Sequence, residues 1–265
     1  MNMNTVFQTL IFLHAFAGLL GLIVFWWPAL NRKGSTNHKK LGAVFAQAML
    51  VAGISGFVMV VLMYAAPLAI RSAETVANMS VEQSQAFIAS TYSTANLLLM
   101  LAALLIANTR QAVLTLQHKQ HRKALRTVVH GLCVGLLGAT SLYLLWLAAN
   151  GGSTLYWVFS ILGLSNTYSI LRYNFKAEIL PREWLLQHIS NICAAGIGAH
   201  TAFFVFGGRS FLEQYISGNY SILLWIAPGV IGGVAITLSS RHFAKKYRIF
   251  PIDMTPDQSS SGRAG

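Results

Sequence analysis

Seven long apolar segments dominate the chain and limit its fold more than any other feature. A helix needs about 20 mostly apolar residues to cross the hydrocarbon core of a bilayer. Lipid cannot hydrogen-bond peptide groups, so such a segment is stable there as a helix. The predicted spans are residues 5–29, 42–66, 89–108, 127–149, 154–171, 185–206 and 220–239. The sequence therefore predicts an all-α polytopic membrane helix bundle with seven transmembrane helices.

The composition agrees with this fold class. Hydrophobic residues make up 55% of the chain and charged residues 10%, whereas soluble domains carry about 25% charged residues. We predict a seven-helix transmembrane domain over residues 1–250 and a disordered polar tail over 251–265, which is rich in Ser and Gly. The first apolar run is too long for the core of a signal peptide, so it is expected to be a transmembrane helix.

The distribution of Lys and Arg predicts the orientation. Of the 19 positive residues, 17 lie in four segments that the seven helices would place on one side of the membrane. These segments are 30–41, 109–126, 172–184 and the stretch from 241 onward. By the positive-inside rule the N-terminus is outside and the C-terminus is cytoplasmic. The expected location is the bacterial inner (cytoplasmic) membrane, as a multi-pass protein.

The net charge of +12 has a simpler explanation than nucleic-acid binding. The basic residues form short clusters beside apolar runs, which is typical of topology signals in membrane proteins. No nucleic-acid partner is expected. The expected partner is the lipid bilayer, and the formation of a homo-oligomer is left open.

Acidic residues are absent from the predicted spans. A zinc hydrolase, a Ser-His-Asp triad or a proton relay through carboxylates at membrane depth would need at least one of them. The sequence therefore argues against a hydrolase. Haem iron, in contrast, needs an axial nitrogen ligand and no acid.

Histidines at membrane depth are the main candidates for a functional site, because ionisable groups are costly there. The predicted depths favour an outer pair, His14 with His200, and an inner pair, His130 with His188. His38 and His121, at the cytoplasmic boundary, are secondary candidates. The leading hypothesis is a histidine-lined intramembrane site that binds b-type haem (haem b) and passes electrons to a redox partner. No metal other than haem iron is expected.

Three alternatives remain open on the sequence alone. The histidines can be packing residues that hydrogen-bond neighbouring carbonyl or amide groups. The protein can be a transporter, or a transport accessory, for a small hydrophobic solute, with Pro228 and the neighbouring glycines as hinges. It can also be a non-catalytic membrane protein for assembly or partner binding.

Three short motifs resemble a known family. The stretch beginning at His14 (HAFAGLLG), the stretch at His38 (HKKLGAVF) and the stretch at His121 (HRKALR) are similar to a bacterial family of integral membrane proteins, the domain of unknown function 2306 family. The spacing of Trp184, His188 and His200 is similar to the C-terminal pattern of related sequences. The resemblance implies a membrane fold and adds no reaction.

Overall fold

The computed structural model describes residues 2–208 and 222–249, and the predicted tail over 251–265 lies outside the described residues. Across the described ranges the chain is helical and contains no strand. The helices are α1 (Met3–Leu30), α2 (Thr36–Ala65), α3 (Ala73–Ala77), α4 (Val81–His118), α5 (Val128–Ala149), α6 (Thr154–Phe175), α7 (Glu183–Ala202) and α8 (Ile222–Lys246). A π-helical turn, Phe203–Gly207, follows α7 directly.

Six of these helices are long and apolar enough to cross a membrane. They are α1, α2, α4, α5, α8 and the continuous stretch of α7 and its π-helical turn. The predicted span 154–171 does form a helix, α6. This helix is long enough to cross a membrane, but its mean hydropathy is too low for it to be counted with the other six. Its sequence includes several hydroxyl and amide side chains: Ser160, Ser165, Asn166, Thr167 and Ser169. The structure thus confirms an all-helical, multi-pass membrane architecture.

Side-chain caps define where most of the helices begin. The hydroxyls of Ser35, Ser80 and Thr127 accept hydrogen bonds from backbone N–H groups in the first turns of α2, α4 and α5. Such caps satisfy N–H groups that have no partner within the helix. At Ser80 the cap is reciprocal, because the Gln83 side chain accepts from the Ser80 N–H. The α4 helix extends ten residues beyond the predicted end at 108, so much of the predicted loop 109–126 is helical.

Helix α4 lies at the centre of the bundle. In its most apolar 18-residue window 61% of the residues are buried, against 17% in the window of α1. It packs against α2, α5, α6 and α7. The α1–α2 hairpin and the α5–α6 hairpin both rest on α4, and α7 lies between α4 and α8 and also contacts α1.

Helix α6 runs parallel to α4 over most of its length. Near its start, the Tyr156 hydroxyl donates a hydrogen bond to the Ser93 carbonyl of α4 (3.0 Å). Near the end of α6, the Asn174 side chain accepts a hydrogen bond from the side chain of Gln111, which is also on α4. Each contact point on α6 lies 63 residues beyond its partner on α4. The two contacts are 18 residues apart on both helices, which is about 27 Å of helix.

Basic side chains connect the loops at one end of the bundle. The Arg122 guanidinium donates hydrogen bonds to the carbonyls of Lys176 and Ala177, and Arg126 Nε donates to the carbonyl of Asn174 (3.0 Å). The α4–α5 turn and the α6–α7 connection are therefore neighbours. At the opposite end, the Asn4 side chain donates to the carbonyl of Ile70 (2.7 Å), which joins the start of α1 to the α2–α3 connection.

Close packing of α2 on α4 requires glycine at position 53. A Cβ added there would lie 2.7 Å from Ile106 Cγ1, well inside the contact distance of two carbon atoms. We expect Gly53→Ala to lower the stability of the purified protein by about 1–3 kcal/mol, because overpacking forces the helices apart. Thermal unfolding in detergent measures the effect.

The matched control for this prediction is Gly131→Ala in α5. A Cβ at Gly131 would meet nothing within 4 Å, and alanine favours the helix by about 1 kcal/mol over glycine. Equal unfolding temperatures for the two variants would contradict the close approach of α2 and α4.

Candidate histidine site

His14 bridges α1 and α2 through one ring nitrogen. Its Nδ1 lies 2.9 Å from the Ala52 carbonyl oxygen and 3.3 Å from the Ser55 hydroxyl. A carbonyl oxygen can only accept, so Nδ1 carries the hydrogen and donates it. In the neutral ring the lone pair is then on Nε2. The His14 ring can approach the backbone of α2 because residue 56 is glycine. A Cβ at that position would lie only 3.3 Å from His14 Cε1.

His200 uses the same nitrogen but bonds within its own helix. Its Nδ1 donates to the Gly196 carbonyl one turn earlier (2.7 Å). Two aromatic rings of α1 make edge-to-face contacts with the imidazole. The ring centroids of Phe25 and Trp26 lie 5.4 and 5.7 Å from that of His200. The His200 ring is therefore fixed by one hydrogen bond and by two perpendicular aromatic contacts.

His188 and His38 follow the same pattern towards the basic end of the bundle. His188 Nδ1 donates to the Ala112 carbonyl of α4 (3.1 Å), and His38 Nδ1 donates to the Pro28 carbonyl near the end of α1 (3.0 Å). The Pro28 carbonyl belongs to the last turn of α1, where carbonyls lack partners within the helix.

These four histidines have one tautomer in common. In each, a backbone carbonyl fixes the hydrogen on Nδ1, so Nε2 holds the lone pair of the neutral ring. Metal-ligating histidines in proteins are oriented in this way, with the other ring N–H donated to a carbonyl or a carboxylate. All four lie on α1, α2 and α7, three helices that are in mutual contact.

His130 has a different role, as one member of a buried polar network. Its Nε2 lies 2.7 Å from Gln111 Oε1, and Gln111 Nε2 donates to Asn174 Oδ1 (2.9 Å). The Asn174 amide donates back to Gln111 Oε1 (3.3 Å). All three side chains are at most 3% exposed. Because Gln111 Oε1 accepts, His130 Nε2 carries the hydrogen, and the buried Nδ1 has no partner.

The structure does not bring His14 and His200 together. His14 bonds α2 from position 14 of α1, while His200 contacts α1 at positions 25 and 26. Eleven residues correspond to about 17 Å along a helix. The two axial ligands of one haem bind the same iron atom. The expected outer pair is therefore corrected: these two side chains cannot ligate one haem.

The inner pair stays a prediction. His130 and His188 bond adjacent residues of α4, Gln111 and Ala112, from α5 and α7 respectively. The Nε2 atom of His130 is already bound to Gln111. His121 is exposed at the start of the short 3₁₀ turn between α4 and α5, where it has no side-chain capping bond.

Gln111 and Asn174 were missed from the sequence because both fell in predicted loops. The available signal was the absence of Gly and Pro between residues 108 and 118, together with the polar side chains of Asn108, Gln111 and Thr115 at helical spacing. Those three side chains are fully buried in α4. Within residues 2–208 and 222–249, no group of three or more His, Cys, Asp or Glu side chains is placed to hold a metal ion.

Comparison of the chain with protein-family models, with curated proteins and with solved structures finds no match. The resemblance to the domain of unknown function 2306 family stays a prediction. Any assignment of function therefore depends on the geometry of the site.

The buried network predicts a large difference between two glutamines of α4. Gln111→Ala removes the partner of both His130 and Asn174 and leaves their buried polar groups unpaired, a loss of about 1–3 kcal/mol for each group. Gln117→Ala makes the same chemical change at an exposed position six residues later. We expect thermal unfolding in detergent to show a clear loss of stability for Gln111→Ala alone. Equal stabilities would show that the network contributes nothing.

Proposed function

We propose that this protein is a bacterial inner-membrane protein that binds b-type haem through neutral histidines on α1, α2 and α7 and transfers electrons. The observation that supports this proposal is the common tautomer of His14, His38, His188 and His200, in which a carbonyl holds Nδ1 and the lone pair is on Nε2. A neutral histidine binds haem iron through such a nitrogen.

His38, on α2, and His188, on α7, would be the first candidates to hold the haem iron. Both lie towards the basic end of the bundle, and a backbone carbonyl holds Nδ1 of each. His14 and His200 each have an Nε2 atom with a lone pair, at other depths in the bundle. A haem bound to either of them would take its second ligand from another residue or would have none. His130 has the opposite tautomer: its Nε2 donates to Gln111, and the lone pair of the neutral ring is on the buried Nδ1.

The proposed topology has seven crossings, with the N-terminus outside. It is supported by the parallel course of α6 and α4, which extends over about 27 Å, close to the thickness of about 30 Å of a bilayer core. The meeting of the basic α4–α5 turn and the α6–α7 connection at one end also supports it. The polar residues of α6 are tolerated because its helical neighbours α5 and α4 cover part of its surface.

A second candidate function is transport of a small solute. The π-helical turn Phe203–Gly207 follows His200 closely, and Pro228 interrupts the backbone hydrogen bonding of α8, which packs on α7. Such irregular turns often occur at functional sites and allow a helix to bend. A transporter would be colourless and would respond to a solute. A protein that only assembles with partners would also be colourless and would not respond to a solute.

The topology is tested by labelling two single cysteines in intact cells. The native Cys133 and Cys193 are replaced by Ala, and then Asn150→Cys and Ala177→Cys are made separately at exposed positions on either side of α6. We expect a membrane-impermeant maleimide to label position 150 from outside and position 177 only after permeabilisation. Labelling of both positions from the same side would contradict a crossing by α6.

The haem proposal is tested by absorption spectra of the purified full chain, oxidised and reduced with dithionite, from cells supplied with haem. We expect a stoichiometric Soret band that is lost in His188→Ala and in His38→Ala. His121→Ala, at an exposed position, is the control and keeps the band. A colourless wild-type protein overturns the proposal.

A loss of haem through misfolding is distinguished by a ligand exchange. His188→Met keeps a group that can bind iron, and methionine ligation raises the reduction potential of a haem. We expect this variant to retain haem with a higher midpoint potential than the wild type. An unchanged potential would mean that His188 does not ligate the iron.

A further inference from the structure

An open cleft separates the α1–α2 turn from the last turns of α8. Its lining comprises Leu30, Asn31, Arg32, Lys33, His242, Phe243, Lys246 and Tyr247, and its volume is ≈ 520 Å³. This volume lies in the range of about 300–1,000 Å³ that is typical of small-ligand sites. The cleft is distinct from the histidine site, because none of the four histidines with a carbonyl-bound Nδ1 lines it.

The charge of the cleft is one-sided. Arg32, Lys33 and Lys246 contribute three positive charges, and none of the described residues that line the cleft is acidic. The Lys33 ammonium donates to the Pro28 carbonyl (2.8 Å), which holds this charge at the end of α1. A fourth cation, Arg182, lies over the Tyr247 ring, with its guanidinium carbon 5.8 Å from the ring centroid. The cleft therefore suits an anionic group.

An aromatic surface continues from this basic cleft along α1. A second hollow of ≈ 240 Å³ is lined by Trp26, Trp27, Leu30 and Asn31, and it shares Leu30 and Asn31 with the first. Trp26 and Trp27 are 53% and 55% exposed, and Leu30 is 84% exposed. Tryptophan at the end of a transmembrane helix is typical of the boundary between headgroups and acyl chains. A charged hollow is thus continuous with an apolar one.

We propose that the cleft and the adjoining aromatic hollow together bind one lipid with an anionic phosphate headgroup. The phosphate lies between Arg32, Lys33 and Lys246, and the upper part of an acyl chain packs along Trp26, Trp27 and Leu30. Basic pockets between transmembrane helices at the cytoplasmic side bind such headgroups in other membrane proteins. This site is independent of haem binding and depends only on the proposed position of this end of the bundle at the cytoplasmic leaflet.

Four preparations of the full-length protein in a neutral detergent test the proposal. Thermal unfolding and native mass spectrometry are measured with added phosphatidylglycerol, with phosphatidylcholine, with inorganic phosphate and with no addition. We expect phosphatidylglycerol to raise the unfolding temperature and to give a one-to-one complex, because a ligand that binds only the folded state stabilises it. Phosphatidylcholine and inorganic phosphate should have little effect.

Two double variants with the same loss of charge locate the site. Arg32→Gln with Lys246→Gln changes the cleft, whereas Lys40→Gln with Lys123→Gln changes exposed cations outside it. We expect phosphatidylglycerol to bind the cleft variant about thirtyfold more weakly, since each cation near an anionic lipid contributes about 1 kcal/mol. The control variant should bind with nearly the affinity of the wild type.

Three results would overturn the proposal. Equal weakening in both double variants would indicate a diffuse attraction to the whole basic end. Equal stabilisation by inorganic phosphate would indicate a site for a free anion rather than a lipid. No response to phosphatidylglycerol would show that the cleft does not bind an anionic lipid.

Discussion

The need to bury polar groups away from lipid governs the arrangement of this bundle. Helix α4 carries Asn108, Thr109, Gln111 and Thr115 in one stretch, and all four are fully buried. Exposed to hydrocarbon, each would cost several kcal/mol. Their burial requires helices on several sides of α4, and α2, α5, α6 and α7 occupy those positions. The central place of α4 thus follows from its polar side chains as much as from its apolar ones.

Within this arrangement the histidines divide into two chemical groups. His130 donates a hydrogen bond from Nε2 to the side-chain oxygen of Gln111, which in turn bonds Asn174 of α6, so this nitrogen helps to join the helices. The other four buried or partly buried histidines bond a backbone carbonyl through Nδ1. A carbonyl is present at every residue of a helix, so this bond orients a ring without a dedicated partner side chain. It leaves Nε2 for a ligand.

The two proposed sites depend on different physical forces. Binding of haem iron requires neutral nitrogen in a region from which water is excluded, and no acidic group is needed. Binding of an anionic lipid requires positive charge at the membrane boundary, where the cost of desolvating a cation is small and the attraction to phosphate is strong. The side chain of Trp26 is part of both sites, since it contacts His200 and lines the apolar hollow. The α1 helix thus connects the interior of the bundle to its basic end.

The sequence by itself determined the fold class, the approximate positions of the helices and the set of histidines worth testing. Apolar length is a local property of the sequence, and the bilayer converts it directly into helices. The sequence failed at the ends of α4 and α6, because the polar residues there resemble a loop when their burial by neighbouring helices is unknown. Only the tertiary structure decided what each histidine contacts. The distance between His14 and His200 depends on the depth at which α7 packs against α1, and the proton on each ring depends on the carbonyl it faces. Neither quantity is encoded in residue spacing along one helix.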